Sequence, residues 1–160
     1  MVPGIYAPDA DAAAPIPPTE LVVPDAPNAQ FVDVYAQISH ACAIASTGDT
    51  YCWGSNSFGQ LGRVTNDPTP KHGYSMGLPG HIAGGDVHTC PVDKPNGPRC
   101  FGGNLEGQLG DAVAVGDSTT VASRIPGLDV DAGVVDVSGG QKMTCGLFGD
   151  KTVKCVGTNG

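Results

Sequence analysis

Apolar and polar positions alternate along Phe31-Val32-Asp33-Val34-Tyr35-Ala36, and the same rhythm returns at Val134-Val135-Asp136-Val137-Ser138-Gly139. A period of two is the mark of a strand with one buried face, so each stretch predicts a strand. A shorter one is predicted at Gly80-His81-Ile82-Ala83-Gly84. Each is followed by a turn, ending in Gly84-Gly85 or Gly139-Gly140 in the later two, and then by a second strand. That strand reads His40-Ala41-Cys42-Ala43-Ile44, His88-Thr89-Cys90-Pro91-Val92 or Met143-Thr144-Cys145-Gly146-Leu147. A third strand follows at Asp49 to Trp53, Pro98 to Phe101 and Thr152 to Val156, and a fourth is expected after the Gly-Gln-Leu-Gly stretch. No window sustains a 3.6-residue period, so no long helix is expected.

These strands belong to one unit written three times. Cys52-Trp53-Gly54-Ser55-Asn56-Ser57-Phe58-Gly59-Gln60-Leu61-Gly62 returns as Cys100-Phe101-Gly102-Gly103-Asn104-Leu105-Glu106-Gly107-Gln108-Leu109-Gly110, and Cys155-Val156-Gly157-Thr158-Asn159 opens a third copy. Cys42, Cys90 and Cys145 keep the same two lags, 48 and 55, so every copy holds two cysteines ten positions apart. The longer second lag reads as a loop insertion around Asp111 to Ser123. The expected repeats run over 21–70, 71–123 and 124–160. Because the third stops inside its motif, the chain is expected to be a piece of a longer array. The alternative is that several chains complete a ring together.

The cysteines also predict a register. Opposed residues of an antiparallel pair have a constant index sum, and pairing Cys42 with Cys52 leaves Ser46-Thr47-Gly48 as a three-residue loop. Glycine at its last position suits a type I turn closed by a left-handed residue. Opposed Cα atoms lie about 4.5–5.5 Å apart, within reach of a disulfide. The expected bonds are Cys42–Cys52, Cys90–Cys100 and Cys145–Cys155, each closing a ring of about eleven residues worth roughly 2.5–3 kcal/mol on the chain-entropy account. The middle copy is the hardest case, because Pro95-Asn96-Gly97-Pro98 is expected to shift the turn and Pro98 removes a ladder donor.

Composition narrows the function. A formal net charge of −8 counts against gripping phosphate backbones, so nucleic acid is excluded as a partner. No apolar run reaches the length of a membrane helix, and Met1-Val2-Pro3-Gly4 does not open a signal peptide. Residues 1–20, rich in Pro, Ala and Asp, read as a disordered linker. Six cysteines paired by the repeat point to an oxidising compartment, extracellular, cell-surface or periplasmic, the alternative being reduced thiols in the cytosol.

Trp53-Gly54-x-Asn56-x-x-Gly59-Gln60-Leu61-Gly62, preceded by His40-x-Cys42-Ala43-Ile44 and a turn, resembles the repeat of the regulator of chromosome condensation family. The match covers about residues 22 to 160, and the cysteine pair is similar to that of exported bacterial members. The resemblance implies an all-β, seven-bladed β-propeller of four-stranded antiparallel blades, of which this chain would supply about three in an incomplete ring. Residues read as structural are Trp53, Gly54, Asn56, Gly59, Gln60, Leu61 and Gly62, their counterparts Phe101, Gly102, Asn104, Gly107, Gln108, Leu109 and Gly110, and Gly157 and Asn159. Gly59 and Gly62 permit a sharp, left-handed bend, and Asn56 and Gln60 can bond turn backbone.

Candidate chemistry is sparse. His40 and His88 recur beside cysteines, yet Met143 takes their place in the third copy and Cys-x9-Cys is not a zinc spacing. Asp111 with Asp117 and Asp129 with Asp131 lack the dense calcium-loop pattern. No nucleophile elbow, phosphate loop or His-Glu-x-x-His occurs. The expectation is no enzyme, no metal and no cofactor. The chain reads as an extracytoplasmic module that binds another protein through loops at Arg63 to Gly77 and Asp111 to Ser123. The alternatives are guanine nucleotide exchange, the activity of the founding nuclear member, and inhibition of an exported hydrolase. The latter would need aromatic anchors beyond Phe58, Tyr74 and Phe101.

Overall fold

In the computed structural model, residues 20–67, 69–75, 80–93, 97–129 and 131–158 are described, with Tyr74 and Asp93 described by their backbone alone. Most of the expected linker and the motif residue Asn159 lie outside them. Three antiparallel sheets stand side by side. The first holds β1 (Phe31–Ala36), β2 (His40–Ala45), β3 (Asp49–Gly54) and β4 (Lys71–Ser75) in that order. The second holds β5 (His81–Gly84), β6 (His88–Asp93), the pair β7 (Gly97–Pro98) and β8 (Cys100–Gly103), and β9 (Ser118–Ser123). The third holds β10 (Val134–Gly140), β11 (Met143–Phe148) and β12 (Val153–Gly157). These are propeller blades set in an unclosed arc. Among the described residues the one helical turn is 3-10, at Gly110–Ala112, and no helix is long and apolar enough to cross a membrane.

The hairpin register follows the cysteines. Cys42 faces Cys52, with Ala41 on Trp53 and Ile44 on Thr50. Cys145 faces Cys155 in the same way. All three disulfides form, with Cα–Cα distances of 4.1, 4.1 and 4.0 Å, somewhat shorter than the ladder spacing suggests. Gly48 closes the first turn at φ 88°, its amide bonded to the Ala45 carbonyl at 2.9 Å.

Two expectations need correcting. Pro95-Asn96-Gly97-Pro98 does not shift the pairing that flanks the middle turn, whose residues 94–96 lie outside the described ones: Val92 faces Pro98 and Thr89 faces Phe101 in one unbroken register. The missing proline donor instead splits the third strand at Arg99, whose amide reaches the Pro91 carbonyl at 3.0 Å. Nor is Asp111 to Ser123 an inserted loop, since Ser118–Ser123 is the fourth strand. The added length falls mainly at 124–133, between β9 and β10, where the connection from β4 to β5 is shorter.

The apolar core lies between blades. Cys42, Ile44, Cys52 and Leu61 of the first pack with Ile82 of the second. Leu109 and Val92 of the second pack with Val137 and Phe148 of the third. Each blade alone would leave that face wet, which is why a repeat array is stable only when stacked. Ahead of β1, Val23 is buried against Ala45 and Tyr51, docking the chain's entry onto the first blade.

Two expected results arise here. Lys151 occupies the place of Gly48 in the third hairpin and is the one described non-glycine residue with positive φ, 73°. Lys151→Gly relieves a left-handed side chain at the cost of a looser unfolded chain. It should raise stability by about 0.5 kcal/mol, read as a small rise in the thermal midpoint. The cysteines of the first two blades are buried, whereas Cys155 is exposed and Cys145 half-buried. Because attack on a disulfide needs access, limited reduction followed by alkylation and mass spectrometry should label Cys145 and Cys155 first. Earlier labelling of Cys42 would contradict it.

Candidate interaction surface

The recurring motif builds a turn held from inside by two amides. Asn56 Oδ1 accepts from the Leu61 amide at 2.9 Å, and Nδ2 donates to the carbonyls of Arg63 and Thr65 at 2.7 and 2.8 Å. Asn104 repeats this with the Leu109 amide at 2.7 Å and the carbonyls of Gly110 and Val113. Gln60 and Gln108 accept from the amides of Phe58 and Glu106, both at 2.9 Å. Gln60 Nε2 also reaches Ser55 Oγ at 3.4 Å, while Gly103 stands at that place in the second copy and leaves the Gln108 Nε2 without a partner. Gly59, Gly62, Gly107 and Gly110 all have positive φ, and a Cβ on Gly62 would also sit 3.1 Å from the Phe101 ring of the next blade. Leu61 and Leu109 are buried; Trp53 is only half-buried. Gly54, Gly102 and Gly157 share φ near 100–115°, where a Cβ would come within 2.3–2.6 Å of a hairpin carbonyl oxygen.

A second pattern joins neighbouring blades and was not visible in the motif. Thr89 Oγ1 donates to the Gln60 carbonyl at 2.7 Å and lies 2.9 Å from His40 Nε2. Thr144 does the same with the Gln108 carbonyl at 2.8 Å and His88 Nε2 at 2.9 Å. A hydroxyl has one hydrogen, which goes to the carbonyl, so each imidazole must donate from Nε2. The bare Nδ1 of each ring is then a buried atom without a partner. Burial holds both histidines down at about 4; the backbone and the charge of Asp86 pull the other way on His40, and the His40 charge pushes His88 down further. Both are therefore neutral clasps at pH 7, and the cysteines beside them are spent in disulfides. Ala41 holds the threonine place in the first blade and Met143 the histidine place in the third.

The β3–β4 loops carry the rest. Arg63 donates to four carbonyls, those of Cys52, Lys71, Asp67 and Thr69, at 2.8–3.3 Å. One planar guanidinium thus organises 63–71. Lys71 lies 2.7 Å from Asp67 and is the main reason that carboxyl is held well below the usual range. In the second blade Glu106 reaches forward to Lys142 at 3.0 Å and Thr158 at 3.2 Å. Its counterpart Phe58 lies against Gly103 instead. Ile38, Val64 and Val115 are 81, 86 and 69% exposed. All three lie in the turns and loops at the end of the blades where β2 begins and β3 ends. Asp129 caps its own turn by accepting from the Ala132 amide at 3.0 Å, and Asp131 meets Arg124 at 2.9 Å. Among the described residues no three His, Cys, Asp or Glu side chains converge as a metal site.

A fold of repeated four-stranded blades, clasped edge to edge with its polar side chains committed to the backbone, defines a β-propeller repeat scaffold. Two models of the regulator of chromosome condensation (RCC1) repeat match residues 33–60 and 47–92. Residues 33–92 thus carry the RCC1 repeat. Among solved structures it is similar to Prp20p from Saccharomyces cerevisiae, described with its binding to Gsp1p and histones, at 23% identity and TM-score 0.70 over 82% of this chain and 32% of that one. Yeast RCC1 (Prp20) bound by Kap60 matches at 20% and 0.63, covering 82% and 30%. Human WBSCR16 matches at 20% and 0.65, covering 81% and 33%. The chain spans about a third of the length of each.

Proposed function

We propose that the chain is a non-catalytic module that binds another protein through the rim formed by its β1–β2 turn and its β3–β4 and β8–β9 loops, in an oxidising compartment outside the cytoplasm. The observation that carries this reading is the contrast within each repeat. Buried polar residues such as Asn56, Gln60, His40 and Thr89 recur in scaffold bonds. Ile38, Val64 and Val115 are exposed apolar side chains on one rim, the kind of residue that contributes to partner contact when presented on loops by a rigid frame. Protein partners named for the yeast relatives, Gsp1p, histones and Kap60, are in keeping with it. Three disulfides support the compartment.

The test is affinity capture with the native chain and with an Ile38→Glu, Val64→Glu, Val115→Glu variant. Loss of the captured protein is expected, and retention of the same partner by a folded variant overturns the reading. Six reactive thiols in the native protein would overturn the compartment.

A further inference from the structure

At the opposite end of the blades, between the second and third, a cleft of about 290 Å³ opens among Val92, Gly97, Pro98, Val134, His81 and Asp136. The three copies can be compared position by position through their registers. His81 faces Val92 as Asp33 faces Ile44 and Asp136 faces Leu147. Pro98 faces Val92 as Thr50 faces Ile44 and Val153 faces Leu147. The second copy therefore departs from both siblings at His81 and Pro98, and at neighbouring Gly97, and all three of these departures line one cleft. Scaffolding does not demand them, because the first and third hairpins form with other residues, and Pro98 breaks its own ladder.

The cleft has apolar walls with one carboxylate, Asp136, and one imidazole, His81, at its edge. Val92, Pro98 and Val134 are buried. The Asp136 side chain is 58% exposed and that of His81 35%. His81 Nε2 lies 2.8 Å from Asp136 Oδ1, an ion pair when the ring is protonated, but makes no aligned hydrogen bond there. Asp33, whose Oδ2 accepts from the Ile82 amide at 3.3 Å, is not part of the cleft lining, so Asp136 is the carboxylate that the cleft presents. The volume is at the small end of ligand cavities, about 300–1,000 Å³, and suits one aliphatic side chain. With 16 acidic against 8 basic residues in the chain, the complementary occupant is cationic.

We propose that this cleft receives an aliphatic side chain from a protein partner's segment, with an adjacent Lys or Arg of that segment paired to Asp136. It is a second contact surface, on the far side from the loop rim, so its test does not share residues with that of the rim. The probe is an acetylated, amidated pentapeptide Gly-Arg-Val-Arg-Gly, titrated into isotope-labelled, disulfide-bonded protein and followed by backbone amide shifts. Saturable shifts centred on Val92, Val134 and Asp136 are expected. Asp136→Asn should weaken binding about fivefold, the effect of losing one exposed ion pair. Val135→Arg, at a position 61% exposed on the cleft wall, should abolish the saturable shifts while leaving the remaining spectrum folded. Equal binding of a Glu-flanked peptide, insensitivity to both substitutions, or equal affinity for isobutylamine alone would overturn the proposal.

Discussion

Asn104→Ala is expected to destabilise the chain by about 3–5 kcal/mol, measured by urea unfolding. The side chain is fully buried and holds three backbone groups at once: the amide of Leu109 and the carbonyls of Gly110 and Val113. Truncation leaves each of them without a partner in a place water does not reach, and a stranded buried group costs about 1–3 kcal/mol. Asn104→Asp discriminates the mechanism. It keeps an acceptor for Leu109 but turns a carboxylate oxygen toward two carbonyls, so it should recover less than half of the loss. A cost under about 1 kcal/mol for the alanine variant would show that the turn is held by its glycines and leucine instead.

The second large effect is with pH. His40 and His88 are held at about 4 in the folded chain against an ordinary value of 6.5, by burial first in both cases. Between those values the unfolded chain binds more protons than the folded one, so stability is complete above about 6.5 and declines as pH falls toward 4. At 1.36 kcal/mol per pKa unit, each histidine removes about 2–3 kcal/mol across the window. Asp49, Asp67, Glu106 and Asp150 have lowered values and add their losses only below the ordinary carboxylate range. His88→Met, copying Met143, should lower stability at pH 7 by stranding Thr144, yet flatten about half of the decline between pH 6.5 and 4.5. Urea midpoints that stay level over that range in the native chain would refute the clasp.

The sequence by itself shows what is local. Cys42 and Cys52 with a glycine at position 48 determine a hairpin within eleven residues, and the pattern can be followed to Cys155. Asn56 and Gln60 act on backbone within nine residues, so their task was also legible. The clasps were not, because His40 meets Thr89 at a separation of 49 and His88 meets Thr144 at 56. The available sign was that threonine follows the histidine place in the second and third copies while Ala41 stands there in the first. Ser118–Ser123 is not legible as a strand, because the longer second lag suggests an insertion there and Ser-Thr-Thr-Val-Ala-Ser has little apolar alternation. Its strand is dictated by the β8 neighbour and not by its own burial, which is slight.

The crosslinked hairpins also limit how far the molecule can be drawn out. Each disulfide ties residues ten apart in sequence, so the chain between them carries no tension when the ends are pulled. At about 3.5 Å per extended residue, every blade withholds roughly 30 Å of contour length. An optical-trap trace of the oxidised protein should fall short of the reduced one by about 90 Å, so that under load the oxidised chain yields in steps and never fully unravels.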